Sequence, residues 1–492
     1  MKRRFATLGL LCGLSTALGV AGCDFRRGDA GDTGAADAAA PAVKSEAMQV
    51  VSQLRARFGE TAAPRPHTLL PSPLAAAPTP LATGLANRFA VGRADLRPVF
   101  AEPAIGSPPA RRAELSLPAS ASGAFTLRDP ESGMSIAVAL EGATDAAADA
   151  AGGFVVYRGA LDGADLIHRP TPEGTEDNLA FEHAPGRPEV TYRVSLTEGV
   201  AGLRMVSDAV EFVDVEGGPR LRMAPPVVIG ADRKRTQASV SIEGCAADHN
   251  PAAPWGRAPV LPGATSCIVR IAWSERAVAF PALLDPAWTT VGSMAIARAN
   301  HSLTSLGNGL AVAAGGYTGN ATELFNAKTN TWANTGPITW NRANHVAVLL
   351  NNGKVLIAGG SGSAGSSAEL YDPGLGTWKV TKGSMSDARI DAAGTLLLDG
   401  RVMICCGVNN QSFSTSSVDI YDPTTDVFTS GGNVAISRYG HAMLTLPSGK
   451  VLVVGGATGG ARWTEGWDPL TSMWTHVSTR PLGRSNVIAL TR

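Results

Sequence analysis

The sequence predicts an all-β chain: a β-sandwich-like domain followed by a run of four-stranded repeat units that build a β-propeller. Two observations carry this. A unit of about 46 residues recurs four times towards the C-terminus, and a period of 40 to 50 residues indicates a propeller or solenoid. Between about residues 87 and 284, short apolar strands alternate with Gly, Pro and Asp turns and show hardly any helical period.

The repeat unit runs Arg-x-x-His, an apolar strand, a Gly turn, a second apolar strand ending in Gly-Gly, Glu-Leu-Tyr-Asp-Pro, and an aromatic. The closing aromatics are Trp332, Trp378, Phe428 and Trp474, with Trp288 in the same phase ahead of them. The glycine pairs are Gly315-Gly316, Gly359-Gly360 and Gly455-Gly456, and the third unit has Cys406-Gly407 there. In the second unit, Val346 to Leu350 and Val355 to Ala358 are strand-length apolar runs joined through Asn352-Gly353, which supplies positive φ for a tight turn. Ala368 to Tyr371 makes a third strand ended by Asp372-Pro373, and Thr377 begins a fourth. Four short antiparallel strands with tight turns form one propeller blade. The recurring aromatic is read as the wedge between adjacent blades.

These residues resemble the kelch family of β-propellers. The double glycine, Tyr371-Asp372-Pro373, Tyr421-Asp422-Pro423 and the fixed tryptophan carry the likeness over residues 285–492. The third unit departs most, with Ala392 in place of the histidine and Cys405-Cys406 displacing the first glycine. About four and a half blades are present, since Asn486 to Leu490 reads as the first strand of a fifth. Kelch rings usually have six or seven blades. A truncated reading frame is therefore expected, with an open or small ring as the alternative.

At the N-terminus, Lys2-Arg3-Arg4 precedes an apolar stretch from Leu8 to Ala21, the layout of a signal peptide over residues 1–22. Val20-Ala21-Gly22-Cys23 resembles a bacterial lipobox, which implies lipidation of Cys23 and anchoring of the exported chain to the cell membrane or outer membrane, on the periplasmic side or the cell surface. Cleavage there removes three basic residues and no acidic ones, leaving 39 against 42, and this near-neutral balance gives no reason to invoke nucleic acid. Residues 23–86 are rich in Ala and Pro and read as a tether, with a short helix predicted from the spacing of Met48, Val51, Leu54 and Phe58.

Cys245 and Cys267 bracket a Pro/Ala-rich loop, and an exported chain meets an oxidising compartment, so a disulfide is expected. Cys405 and Cys406 end a buried strand and read as inert thiols, with a vicinal disulfide or reactive pair as the alternative. Glu173, Glu176 and Asp177 read as a solvated acidic turn, with calcium as the alternative. His301, His345 and His441 fall at equivalent positions in different blades, too far apart to converge on one ion. No catalytic residue, metal or cofactor is assigned.

In the kelch arrangement, the loops after the Gly-Gly strand and those before the first strand share one face. Here they vary in length and carry Tyr317, Asn320, Trp340, Arg342, Asn410, Gln411, Phe413, Tyr439, Arg462 and Trp463. Aromatics mixed with Asn, Gln and Arg suit a glycan or an envelope protein as partner. The expected function is an anchored binding module. Galactose-oxidase-type copper enzymes share the kelch propeller and supply the enzymatic alternative, although no Tyr-His-His grouping stands outside the repeat pattern. A purely structural envelope role is the third.

Overall fold

The computed structural model describes residues 46–58, 86, 88–100, 112–457 and 463–479. The chain is all-β apart from one short helix and a single 3-10 turn among those residues. Among the described residues every strand pairing is antiparallel apart from one isolated parallel bridge, Arg204 to Asp248. Among the described residues no helix is long and apolar enough to cross a membrane. Cys23, Arg462, the signal-peptide segment and the expected fifth-unit strand lie outside the described residues.

Two N-terminal sheets, of eight and eleven strands, share one core. Strands with one face buried alternate strictly, as in Ser135–Leu140 and Ser266–Ala272. Ala209–Val213 is buried at every position, being covered on both faces. Trp288 sits at the centre, wholly buried, with Phe125 and Tyr192 of the facing sheet edge-on at ring-centroid distances of 6.0 and 5.7 Å.

Trp288 corrects the expected domain boundary. Its strand, Ala287–Thr290, pairs with Pro219–Met223 and with Gly174–Phe181 inside the eleven-stranded sheet. The N-terminal part therefore runs to Thr290 rather than to residue 284, and Trp288 belongs to no repeat unit. The predicted helix forms at Glu46–Phe58, but it is not an element of a tether. Ala47, Val50 and Val51 pack on Phe154, Val156 and Ile167, and Phe58 packs on Ile229 and Leu283. The helical spacing of the apolar residues is what lets one stripe cover the outer face of the eleven-stranded sheet.

Four four-stranded sheets follow. Unit 1 comprises Ser302–Ser305, Leu310–Ala314, Thr322–Asn326 and Thr331–Thr335. Unit 2 comprises Val346–Leu349, Val355–Ala358, Ala368–Asp372 and Thr377–Val380. Unit 3 has Ala393–Leu396, Val402–Cys405, Ser417–Asp422 and Val427–Asn433. Unit 4 has Ala442–Thr445, Val451–Val454, Trp463–Asp468 and Met473–Thr479. The first strands of successive units lie beside one another.

Separate apolar clusters fill the spaces between units. The recurring aromatics Trp378, Phe428 and Trp474 pack against the edges of these clusters, and Trp474 donates to the Gly431 carbonyl of unit 3 at 3.1 Å. Tyr371 packs among Val312 and Leu324 of unit 1 and Ile338 of the connection after it, Tyr421 among Val346 and Leu356 of unit 2, and Trp467 among Met403 and Val418 of unit 3. These third-strand residues are the more deeply buried aromatics between the units. Trp378 and Phe428 stay half-buried on the fourth strand, directly opposite them in register, at 4.9 and 5.0 Å between ring centroids.

Unit 1 is fastened to the N-terminal sheets through buried polar groups. Glu211 pairs with Arg204 and accepts the Asn334 N–H at 2.6 Å, and Arg204 donates to the Asn334 carbonyl at 2.7 Å. The loop closed by the Cys245–Cys267 disulfide lies on the same seam. Its Pro251 carbonyl accepts the Thr335 hydroxyl at 2.7 Å, and the Trp255 indole donates to Thr331 at 3.2 Å.

Candidate functional site

Each unit is held by one buried arginine, the Arg of the Arg-x-x-His pattern. Arg298, Arg342, Arg389 and Arg438 pair with Glu323, Glu369, Asp419 and Glu465 on the third strand of their own sheet. Each also donates to the carbonyl seventeen residues on, those of Gly315, Gly359, Cys406 and Gly455. The carboxylates in turn accept backbone N–H groups from the segment ahead of the arginine, such as Thr339 to Glu369 at 2.7 Å. A buried charge must be paired and its remaining lone pairs satisfied, and this network does both.

Two residues after each arginine stands Asn300, Asn344, Asp391 or Gly440, each with φ between 54° and 59°. Asn, Asp and Gly are the residues that tolerate this left-handed conformation. Their backbones form a ladder that runs from unit to unit. The Asn344 N–H donates to Asn300 at 2.9 Å, Asp391 to Asn344 at 3.1 Å, and Gly440 to Asp391 at 3.0 Å. The sequence carries this signal as Asn, Asn, Asp, Gly at a fixed offset from the arginine, and the repeat consensus overlooks it.

Beside the ladder lies Tyr317, 58% exposed, whose hydroxyl accepts the side-chain amides of Asn300 at 3.1 Å and Asn344 at 3.3 Å. It bridges units 1 and 2. Phe413, 69% exposed, stands on a hairpin tightened by the Asn409 side chain, which accepts the N–H groups of Gln411 and Phe413, both at 3.0 Å. Asn320, Asn410 and Gln411 are exposed, while Trp340 and Tyr439 are half-buried. Trp463 keeps about a third of its surface exposed and lies edge-on to His476, 4.6 Å between ring centroids. Arg342 is a correction. It is 1% exposed and committed to Glu369, Gly359 and Ser367, so it cannot meet a ligand.

His301 and His345 lie close enough to interact: burial, with Arg342 and then His301 adding to it, pushes His345 down to about 3. The His345 Nε2 lies 2.8 Å from the Ser302 hydroxyl of the preceding unit. His441 is likewise pushed down to about 3 by burial and by Arg438, but neither ring nitrogen has a partner among the described residues. Cys405 and Cys406 form a vicinal disulfide, not the free thiols expected.

The acidic turn is also corrected. Glu176 and Asp177 lie within strand Gly174–Phe181. Glu176 pairs with Arg169 at 2.8 Å, and burial raises it to about 7. Asp177 is 1% exposed and raised to about 7 by burial, with the nearby Asp285 adding to it. Glu173 accepts the Ser293 hydroxyl at 2.7 Å.

A cleft of about 400 Å³ opens where the disulfide-closed loop meets unit 1, lined in part by Asp214, Arg220, Trp255, Arg257 and Lys328.

No family model and no curated protein matches the chain. A solved structure described as "Structure of YjhT" resembles it at 14% sequence identity and a TM-score of 0.33, covering 39% of this chain and 68% of that one.

Proposed function

We propose that the chain is an exported lipoprotein whose β-sandwich-like domain carries a kelch-type propeller, and that the propeller's loop face binds a glycan or an envelope protein. Four consecutive four-stranded sheets with neighbouring first strands and a backbone ladder running between them support the propeller. Lys2-Arg3-Arg4, the apolar stretch after it and Cys23 support export and anchoring.

The observation that carries the binding role is the set of large aromatics held in the open on loops of one type or at the strand end beside them. Tyr317 and Phe413 follow the second strand of their units, and Trp463 opens the third strand of its own. Burial of such groups against a partner supplies most of the binding energy at typical interfaces. The galactose-oxidase alternative gains nothing from the described residues. Tyr371 and Tyr421 spend their hydroxyls on Thr335 at 2.9 Å and Asp426 at 2.9 Å, inside the seams between units.

Two measurements test this reading. Metabolic labelling with a palmitate analogue tags the wild type and not Cys23→Ala; a tag that survives the substitution refutes the anchor. Envelope extract passed over the immobilised protein leaves a bound component on the wild type. If nothing is retained, the binding role fails and a structural role stands in its place.

A further inference from the structure

We propose that Cys405, Cys406 and His441 form a redox-gated site for a thiophilic d10 cation of the Zn²⁺ or Cu⁺ class.

The repeat itself marks these residues out. Cys406 stands where the sister units have Gly315, Gly359 and Gly455. That position is left-handed in all four, with φ of 70°, 69°, 66° and 75°. A non-glycine residue is strained there, so glycine is the residue the fold prefers. A Cβ placed on Gly315 would lie 3.0 Å from the ring of His345 in the next unit. The same geometry directs Cys406 at the histidine of unit 4, His441. Cys405 in turn replaces the alanines Ala314 and Ala358.

The sulfurs of Cys405 and Cys406 and a ring nitrogen of His441 all lie within 4.8 Å of one another, and all three residues are buried. His441 is 6% exposed, and both of its nitrogens lack a hydrogen-bond partner among the described residues. The contrast with His345 explains why. His345 meets the hydroxyl of Ser302, and the residue at the corresponding place ahead of His441 is Ala393. An imidazole buried without a partner is costly unless something else occupies its lone pair. Two sulfurs are its polar neighbours.

In the disulfide state the sulfurs offer no thiolate. A dithiol donor opens the bond by exchange: the pair takes up two electrons and two protons and becomes two thiols, while the donor becomes a disulfide. A cation then displaces the two thiol protons and is held by two thiolates and a neutral imidazole, a donor set suited to Zn²⁺ or Cu⁺. Metal–sulfur bonds of about 2.3 Å and metal–nitrogen bonds of about 2.0 Å place the donors of one ion roughly 4 Å apart, inside the 4.8 Å within which all three lie, and the two sulfurs move apart from bonding distance once the disulfide is reduced. Two thiolates neutralise a divalent cation, so the site occupied by Zn²⁺ adds no net charge to the interior.

The repeat also supplies variants that keep the fold. Cys406→Gly, Cys405→Ala and His441→Ala each install the residue that a sister unit carries. The full chain is reduced anaerobically with a phosphine and titrated with Co²⁺, then back-titrated with Zn²⁺. The reduced wild type takes up one more equivalent of Co²⁺ than Cys406→Gly, with thiolate-to-cobalt charge-transfer bands that Zn²⁺ abolishes. Cys405→Ala and His441→Ala lose that equivalent or its tetrahedral spectrum, and the oxidised wild type lacks both. Cys245 and Cys267 are present in every variant and cancel in the difference. Equal uptake by wild type and Cys406→Gly, or equal uptake before and after reduction, overturns the proposal.

Discussion

Replacing Arg342 with methionine separates two roles that the sequence leaves superimposed. On an exposed loop, the substitution changes stability by no more than about 0.5 kcal/mol. In the structure the guanidinium is 1% exposed, donates to Gly359 at 2.7 Å and Ser367 at 3.1 Å, and pairs with Glu369 at 2.9 Å. Its removal leaves the Glu369 carboxylate buried, with only the Thr339 and Trp340 N–H groups as close polar partners. Breaking a buried pair from one side costs about 3–5 kcal/mol, and that is the expected loss. Urea unfolding followed by tryptophan fluorescence reads it, and hydrogen exchange locates it in unit 2. Adding Glu369→Gln to Arg342→Met removes the stranded charge, so the double variant loses less than the sum of the singles, by roughly 1–3 kcal/mol. An Arg342→Met protein that unfolds with the wild type would refute the reasoning and return Arg342 to the loop face.

Two further outcomes follow from the N-terminal sheets. Asp177 is raised from 3.8 to about 7 in the folded protein, so the native state holds a proton that the unfolded chain releases above about pH 4. Its contribution to stability is full below that pH and is lost as pH rises to about 7. Relative to Asp177→Asn, the wild type therefore loses a few kcal/mol of stability between pH 5 and pH 8, while the buried histidines and Glu176 are present in both proteins and cancel in the difference; a gap between the two denaturation midpoints that does not change with pH contradicts the burial argument. Replacing Cys245 and Cys267 with alanine opens the loop that docks on Thr331 and Thr335 and costs about 3 kcal/mol. Hydrogen exchange in that double variant rises first along the seam with unit 1, and a uniform rise would contradict the loop's docking role.

The repeat units were legible because their signals are local. Gly-Gly ends a strand where a side chain would collide with neighbouring backbone: a Cβ on Gly360 meets the Ala343 carbonyl at 2.8 Å. What the sequence hid depends on partners far along the chain. Trp288 stands 44 residues before Trp332, in phase with the repeat, yet its strand pairs with Thr175 and Met223, and nothing near Trp288 announces them. Glu176 and Asp177 look like a polar turn because charges rarely lie inside a strand. Arg169, seven residues away across a hairpin, is what allows Glu176 to do so. The helix was readable from its spacing, but its docking on Phe154 and Ile167 was not. Among the site residues, exposure followed the loop pattern for Tyr317, Asn320, Asn410, Gln411 and Phe413. It failed for Arg342, whose repeat position matches those of three other buried arginines.

Binding through one face is tested most directly by substituting both faces in parallel. Tyr317→Ala, Phe413→Ala and Trp463→Ala alter the loops at the Gly-Gly ends of the units, whereas Leu375→Ala and Leu470→Ala alter exposed turns between third and fourth strands at the opposite ends. The assay is equilibrium retention on immobilised envelope extract and on a glycan array, with urea midpoints confirming intact folds. At least one loop substitution weakens retention by about 2 kcal/mol or more, and the turn substitutions leave it unchanged. Equal losses from both faces, or retention indifferent to all five substitutions, would contradict the account.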